Sequence, residues 1–206
     1  MSRVVNVNPE CPSLDVVKEA VKVLRDGGIV VIPTDTVYGL AADPFNEDAV
    51  KRVYEVKERS RSKPLPILLG EAHHAFKLVK PTQLFWSLAM KHWPGPLTLV
   101  ADPVEGLPGH LRRWEGIGVR LPNCTLCRVI ARKLGGAIIG TSANISGMES
   151  PRTAAQAMSM LGDQVDLYLD GGPTFLGVSS TVVDTRGEEP RIIREGYIRR
   201  EALAAP

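Results

Sequence analysis

Gly27-Gly28-Ile29-Val30-Val31-Ile32-Pro33-Thr34-Asp35-Thr36-Val37-Tyr38-Gly39-Leu40 is the stretch on which the fold turns. Ile29–Pro33 is an unbroken apolar, β-branched run, the pattern of a strand buried on both faces. The paired glycines before it end a helix. The strand runs directly into two threonines, a carboxylate and a tyrosine, with Gly39 allowing close backbone approach. In open α/β sheets ligands bind beyond the carboxyl ends of strands, so this polar stretch occupies a ligand-binding address. The same composition also serves a plain strand-to-helix turn with capping groups.

Working outward, Arg3–Val7 reads as a short first strand. Ser13 is a good N-cap for a helix carrying Leu14, Val17, Val21 and Leu24 at helical spacing. Asn46 caps a second helix with Ala49, Val50, Val53 and Tyr54 on its inner face. Leu65–Leu69 is strand-like, and helical stretches follow near Glu71–Val79 and Thr82–His92. Leu97–Ala101 and Ile117–Leu121 read as strands. Thr125–Leu134 reads as a helix ended by Gly135-Gly136, and Ala137–Thr141 as the next strand. Thr153 caps a helix to Leu161. Val165–Leu169, Thr181–Asp184 and Arg191–Arg194 are late strands, and Arg199–Pro206 is a short tail or helix. This alternation implies an α/β fold with a parallel or mixed sheet, and the closely spaced last strands imply some antiparallel pairing. No linker, repeat or low-complexity tract divides the 206 residues, so one domain over 1–206 is the simplest organisation.

Composition narrows the class rather than the partner. Hydrophobic residues at 44% and charged residues at 23% are ordinary globular usage, enough for a sizeable core. A net charge of +2 points to no polyanion or membrane surface by itself. Three cysteines, Cys11, Cys124 and Cys127, are too few for a secreted disulfide framework. No signal-peptide pattern and no membrane-length apolar run occurs. The expectation is a reduced, soluble, cytoplasmic protein with no membrane partner.

Four further stretches carry chemistry. Lys57-Glu58-Arg59-Ser60-Arg61-Ser62-Lys63-Pro64-Leu65 is the densest cationic run, and Arg and Lys both suit phosphate oxygens. A solvated helix end explains such a run equally well. Gly140-Thr141-Ser142-Ala143-Asn144-Ile145-Ser146-Gly147, continued to Ser150-Pro151, offers small polar groups and exposed N–H groups for a nucleotide or phosphate, or simply a long polar turn. Gly177–Asp184 is a hydroxyl-bearing loop entering a strand, and Arg194 stands alone at a strand end.

Other chemistries lack their motifs. P-loop, Gly-x-Gly-x-x-Gly, His-Glu-x-x-His and Gly-x-Ser-x-Gly patterns are absent. Cys124-x-x-Cys127 has redox or zinc spacing, and Cys124 falls near a helix start that would lower its pKa. With no second pair to complete a zinc site, free thiols are the expectation. The four histidines, His73, His74, His92 and His110, form no ligand spacing, so no metal-binding residues are assigned.

Taken in order, several of these segments resemble the YrdC/Sua5/TsaC family. They are Gly27-Gly28 with Pro33–Leu40; Lys57-x-Arg59 with Lys63-Pro64-Leu65; Trp93-Pro-Gly-Pro-Leu-Thr98; Val119-Arg120-Leu-Pro122; Thr141-Ser-Ala-Asn144 with Ser146-Gly147; Ser180–Asp184; and Arg194-x-Gly196. No single motif decides the matter, but the ordered set is specific and runs from the first helix almost to the C-terminus.

The resemblance implies a single YrdC-like domain, core about 13–198, with a large twisted mixed sheet flanked by helices around a cationic cleft. It also implies a reaction. Threonine's amine takes up bicarbonate-derived carbon dioxide, and the resulting carbamate attacks the α-phosphorus of ATP. Pyrophosphate leaves, and threonylcarbamoyl-AMP is formed. Partner proteins then transfer the threonylcarbamoyl group to adenosine 37 of tRNA. By similarity Thr34, Arg120 and Ser180 would hold threonine. Lys57, Arg59 and Lys63 would hold ATP phosphates, Lys57 and Arg59 being the catalytic pair. Ser142, Asn144 and Ser150 would line the nucleotide site, and Arg194 would reach the phosphates. Tyr38 and Asp35 would shape the pocket. Mg²⁺ would arrive with ATP, held by phosphates and water.

This sequence departs from some members in having Ile67-Leu68-Leu69 where they carry a histidine, and in carrying Lys63 where they have asparagine. It also reads as the minimal form, without the C-terminal domain of longer Sua5 members. Three other readings compete: a module for tRNA or double-stranded RNA, a threonine or nucleotide sensor, and a carbamoyltransferase module of the hydrogenase-maturation type.

Overall fold

A computed structural model describes residues 2–203. The strands are β1 (Arg3–Asn6), β2 (Val30–Ile32), β3 (Gly39–Ala41), β4 (Ile67–Leu69), β5 (Val79–Lys80), β6 (Leu97–Pro103), β7 (Ile117–Arg120), β8 (Ala137–Ile139), β9 (Thr141–Ser142), β10 (Leu167–Asp170), β11 (Thr181–Asp184) and β12 (Arg191–Arg194). The helices are α1 (Leu14–Arg25), α2 (Glu47–Val56), α3 (Gln83–His92), α4 (Gly109–Arg112), α5 (Thr125–Leu134), α6 (Ala154–Leu161) and α7 (Arg200–Leu203).

The helix starts follow from local chemistry. Ser13 Oγ accepts from Val16 N, Asn46 Oδ1 from Asp48 and Ala49 N, and Thr153 Oγ1 from Gln156 N. Each satisfies N–H groups that have no partner within the helix. The apolar stripe of α1 begins at Val17, and Leu14 at the first helical position is 67% exposed.

Pairing divides the mixed strands into two sheets. The first has the order β1-β10-β2-β3-β9; the second runs β12-β11-β6-β7-β4-β8, with β5 added to β6. In the first sheet β1, β10 and β2 are parallel, and β3 is antiparallel to both β2 and β9. In the second, β11–β6 and β4–β7 are parallel, while β11–β12, β6–β7 and β4–β8 are antiparallel. The run 29–32 is buried on both sides. Ile29 and Val31 join the larger core with α2, α3 and α6, and Val30 and Ile32 join a second core beneath α1 and α5.

Three short elements escape the reading by periodicity. The polar stretch after β2 turns back into β3, which is only three residues long. The expected helix near Glu71–Val79 is a six-residue 3₁₀ segment, Ala72–Lys77, followed by β5. Such tight turns rarely extend further, and Val79 is claimed by pairing with Pro103 on β6. The expected strand Ala137–Thr141 is split at Gly140, where the chain leaves the second sheet and enters the first. Ile139 N donates to Ala42 O at 2.9 Å and ties the two sheets at that crossing.

A Cβ at Gly140 would lie 2.1 Å from Leu68 Cγ. Leu68 is buried in the second core, and the added carbon would meet its branch carbon and both methyls rather than the loose end of a long side chain. Gly140→Ala is therefore expected to lower the unfolding free energy by about 1–3 kcal/mol through overpacking. Urea denaturation measures this, and an unchanged midpoint would contradict the crossing geometry.

Candidate active site

Where the two sheets meet, the end of β2, the end of β7, the 140–142 crossing and the loops around Ser180 and Arg194 enclose a cavity of about 100 Å³. Thr34, Thr36, Arg59, Thr98, Arg120, Ser142, Ser180 and Arg194 all line it. Three guanidinium groups and a set of hydroxyls thus converge, and no carboxylate is among the lining residues described.

Arg120 is 5% exposed, and most of its hydrogen-bonding capacity is spent on position. Nε donates to Gly95 O at 2.9 Å and Nη1 to Thr36 Oγ1 at 3.0 Å, and Nη2 pairs with Asp35 Oδ1. An arginine has five N–H donors in a fixed fork. Two remain to be aimed at a ligand. Asp35 sits behind the cavity wall, paired and 8% exposed.

The Thr34 loop is self-bracing. Thr34 Oγ1 donates to Val37 O at 2.6 Å and accepts from the backbone N–H groups of Thr36 and Val37 at 3.1 and 3.2 Å. A threonine in this role fixes a turn as a backbone group would. Tyr38, wholly buried, donates from its hydroxyl to Gly172 O at 2.6 Å and accepts from Gly171 N. Burial pushes its pKa up to about 12. Tyr38 therefore anchors the loop to the end of β10.

On the opposite wall, Ser180 Oγ lies 2.9 Å from Thr98 Oγ1, and Arg194 donates to Ser180 O at 2.8 Å. Desolvation lowers the pKa of Arg194, and the charges of Arg59 and Arg120 lower it further. Arg59 gives one bond to Pro64 O at 3.0 Å, while its Nε is buried with no partner among the described residues. The preceding Glu58 holds a left-handed φ of 48°. Non-glycine residues adopt this conformation only where the surroundings impose it. Here it turns the chain sharply between Lys57 and Arg59.

Lys57 lies behind the wall rather than on it. Its side chain is buried, and Nζ donates to Ser142 O, to Asn144 O at 2.8 Å and to Asn144 Oδ1 at 3.2 Å. Burial, and then the charge of Arg59, push its pKa down to about 7. Ser142 Oγ and Asn144 Nδ2 complete the brace, bonding Asn144 Oδ1 and Met148 O at 2.6 Å each.

The structure thus brings Thr34, Arg59, Arg120, Ser142, Ser180 and Arg194 onto one cavity. Lys57 and Asn144 stand immediately behind it. Exposed Lys63 and half-buried Ser150 lie outside its lining. Thr36 and Thr98 line it as well, although neither carries a role in the motifs they belong to, and only long-range bonds to Arg120 and Ser180 reveal what they hold.

An α/β fold that closes three arginines and several hydroxyls around a cavity with no carboxylate among its described lining residues has the chemistry to hold a small anion. The family model for Sua5, YciO and YrdC proteins, described as telomere recombination, matches residues 22–196. The chain belongs to this Sua5/YciO/YrdC family. A putative threonylcarbamoyl-AMP synthase of Mycobacterium tuberculosis is 38% identical over 199 residues, 96% of this chain and 91% of that protein. Pyrococcus abyssi Sua5, crystallised with L-threonine, is 33% identical with a TM-score of 0.91, over 97% of this chain and 59% of that one. E. coli YciO, 22% identical, shares the fold at a TM-score of 0.89 over 98% of this chain and 100% of that one. The α/β fold and the family implied by the sequence motifs are both borne out.

Removing one partner of a buried ion pair leaves the other charge uncompensated. Asp35→Ala is expected to destabilise the protein by about 3–5 kcal/mol. Adding Arg120→Met should cost less than the sum of the two single changes, because the stranded charge is gone. Chemical denaturation of the three variants closes this cycle, and additive losses would contradict a coupled pair.

Proposed function

We propose that this chain makes threonylcarbamoyl-AMP and pyrophosphate from L-threonine, bicarbonate and ATP, the first step of the t6A modification of tRNA adenosine 37. The observation that carries the reading is the convergence of Arg59, Arg120 and Arg194 with Thr34, Ser142 and Ser180 on one cavity with no carboxylate among its described lining residues. The names of the relatives support it, and so does the L-threonine bound by the archaeal Sua5.

Displacement at phosphorus needs alignment and charge neutralisation more than a protein nucleophile. On this reading Arg120, with Thr34 and Ser180, holds the carboxylate or carbamate of threonine. Arg59 and Arg194 face the phosphates, and the unpartnered Nε of Arg59 gains an acceptor there. Ser142 and the loop through Asn144 meet the nucleotide, and Lys57 acts by holding that loop. ATP exceeds the cavity, so Lys63 and Ser150 would meet its outlying parts. No cluster of three or more His, Cys, Asp or Glu side chains suited to a metal occurs among the described residues. The cavity's described lining offers hydroxyl oxygens but no carboxylate to hold a cation, so Mg²⁺ would enter on the phosphates of ATP with water as its other ligands. Downstream threonylcarbamoyl-transfer proteins would take the product. tRNA or double-stranded RNA would be drawn to the same arginines with a steep salt dependence. The reading treats the chain as one YrdC-like domain acting in the cytoplasm. No helix among the described residues is long and apolar enough to cross a membrane.

The test is incubation with Mg²⁺, labelled ATP, bicarbonate and threonine, with pyrophosphate release and adduct mass as readouts. Serine and bicarbonate-free samples are the controls. Adduct formation requiring both threonine and bicarbonate is expected. Arg59→Ala should lower kcat/KM by about 100-fold or more while the protein stays folded, as removal of a charge-stabilising donor does elsewhere, and Asn144→Ala should cripple synthesis through the loop that its side chain braces. Near-normal rates in both variants would sink the site assignment, and no adduct from folded, ATP-binding protein would sink the reading itself.

A further inference from the structure

Cys124 and Cys127 have no place in the proposed reaction, yet they are arranged together beneath it. Cys124 is the N-cap of α5 and Cys127 lies one turn inside it. Both sulfurs point at one backbone oxygen: Cys124 Sγ lies 3.5 Å and Cys127 Sγ 3.1 Å from Pro33 O. Residues three apart at a helix start have side chains on the same face, within reach of each other. Pro33 immediately precedes Thr34 and Asp35, the loop that positions Arg120.

A second cavity, about 370 Å³, opens on the other side of this loop. Thr34 lines both cavities, whereas Asp35, Cys124 and Glu10 line only the second. Cys124 is therefore the thiol that a small molecule entering there would meet, and Cys127 lies deeper.

We propose that Cys124 and Cys127 form a dithiol that a low-molecular-weight disulfide, entering this second cavity, oxidises to an intramolecular disulfide, and that the new bond loosens the loop holding Arg120. Cys124, as thiolate, attacks one sulfur of the incoming disulfide. That S–S bond breaks, and the departing thiolate takes up the proton Cys124 has lost. Cys127, deprotonated in turn, attacks the Cys124 sulfur and releases the second thiol. Two protein S–H groups and one external S–S bond become one protein S–S bond and two external thiols.

The adjacent Cys127 thiol, which would turn its S–H to a Cys124 thiolate once that forms, holds the Cys124 pKa down against the effects of burial and of the Asp35 and Glu10 charges. The same neighbour, with burial, pushes Cys127 up. Cys124 is thus the attacking sulfur and Cys127 the resolving one. Oxidation removes both S–H donors from the buried carbonyl of Pro33, which is the route to Asp35 and Arg120.

The test uses oxidised glutathione on the intact protein, followed by acid quenching, alkylation and trypsin. Cleavage after Arg120 and Arg128 leaves both cysteines on the single peptide 121–128, while exposed Cys11 falls on another. Peptide 121–128 should be unalkylated and two hydrogens lighter. A doubly alkylated 121–128, or one joined to the Cys11 peptide, under conditions that glutathionylate Cys11, would overturn the proposal. Cys127→Ser should trap one glutathione on Cys124, and its failure to do so would remove Cys124 as the attacking thiol.

The link to Arg120 rests on the proposed synthase reading. The threonine KM of the oxidised protein should rise several-fold and return with dithiothreitol, while a Cys124→Ala/Cys127→Ala variant ignores the oxidant. A disulfide with an unchanged KM would overturn the link. A reduced protein without synthase activity would instead overturn the synthase reading, and the peptide map would stand apart from it.

Discussion

The buried pairing of Arg120 with Asp35 is the constraint on which the rest of the site depends. A guanidinium 5% exposed must be compensated, and Asp35 supplies the charge from behind the cavity wall. Because Asp35 follows β2 and Arg120 ends β7, the pair also joins the first sheet to the second at the cavity. Gly95 O and Thr36 Oγ1 fix the rest of the fork. Such pairs add little net stability, but they set orientation, and orientation is what the site needs. Thr34, Val37 and Tyr38 serve the same end by holding Asp35 in place.

Around this fixed arginine the other cations are deployed differently from one another. Arg59 and Arg194 keep donors for a ligand, and mutual repulsion makes an anion between them favourable. Lys57 gives all three of its protons to the loop through Ser142 and Asn144. The neighbouring cations of one short motif thus face opposite duties, and the left-handed Glu58 between them is where the chain turns to allow it.

Much of this was legible beforehand, and what was not has physical causes. The doubly buried run 29–32, the caps at Ser13, Asn46 and Thr153, and the glycine stop after α5 are local signals, and each is observed as read. Three-residue β3, two-residue β5 and the division into two sheets depend on long-range pairing, which leaves no period in the chain. The candidate loops stand out because small hydroxyl and basic residues cluster after apolar strands. Which of them face a ligand was not legible. Lys57 and Arg59 are two residues apart and look interchangeable until the backbone turn is seen. Thr36 and Thr98 matter only through bonds to partners over eighty residues away. The Cys124-x-x-Cys127 spacing was visible, but their shared carbonyl was not.

The central claim is that Arg120, preset by Asp35, reads a carboxylate in this cavity. Calorimetric titration of the protein with L-threonine and with L-threoninamide, repeated on Arg120→Lys, tests it most directly. The account predicts measurable binding of threonine, little or none of the amide, and a clear loss for Arg120→Lys, since a lysine cannot reproduce the planar fork. Equal affinity for the acid and the amide would contradict it.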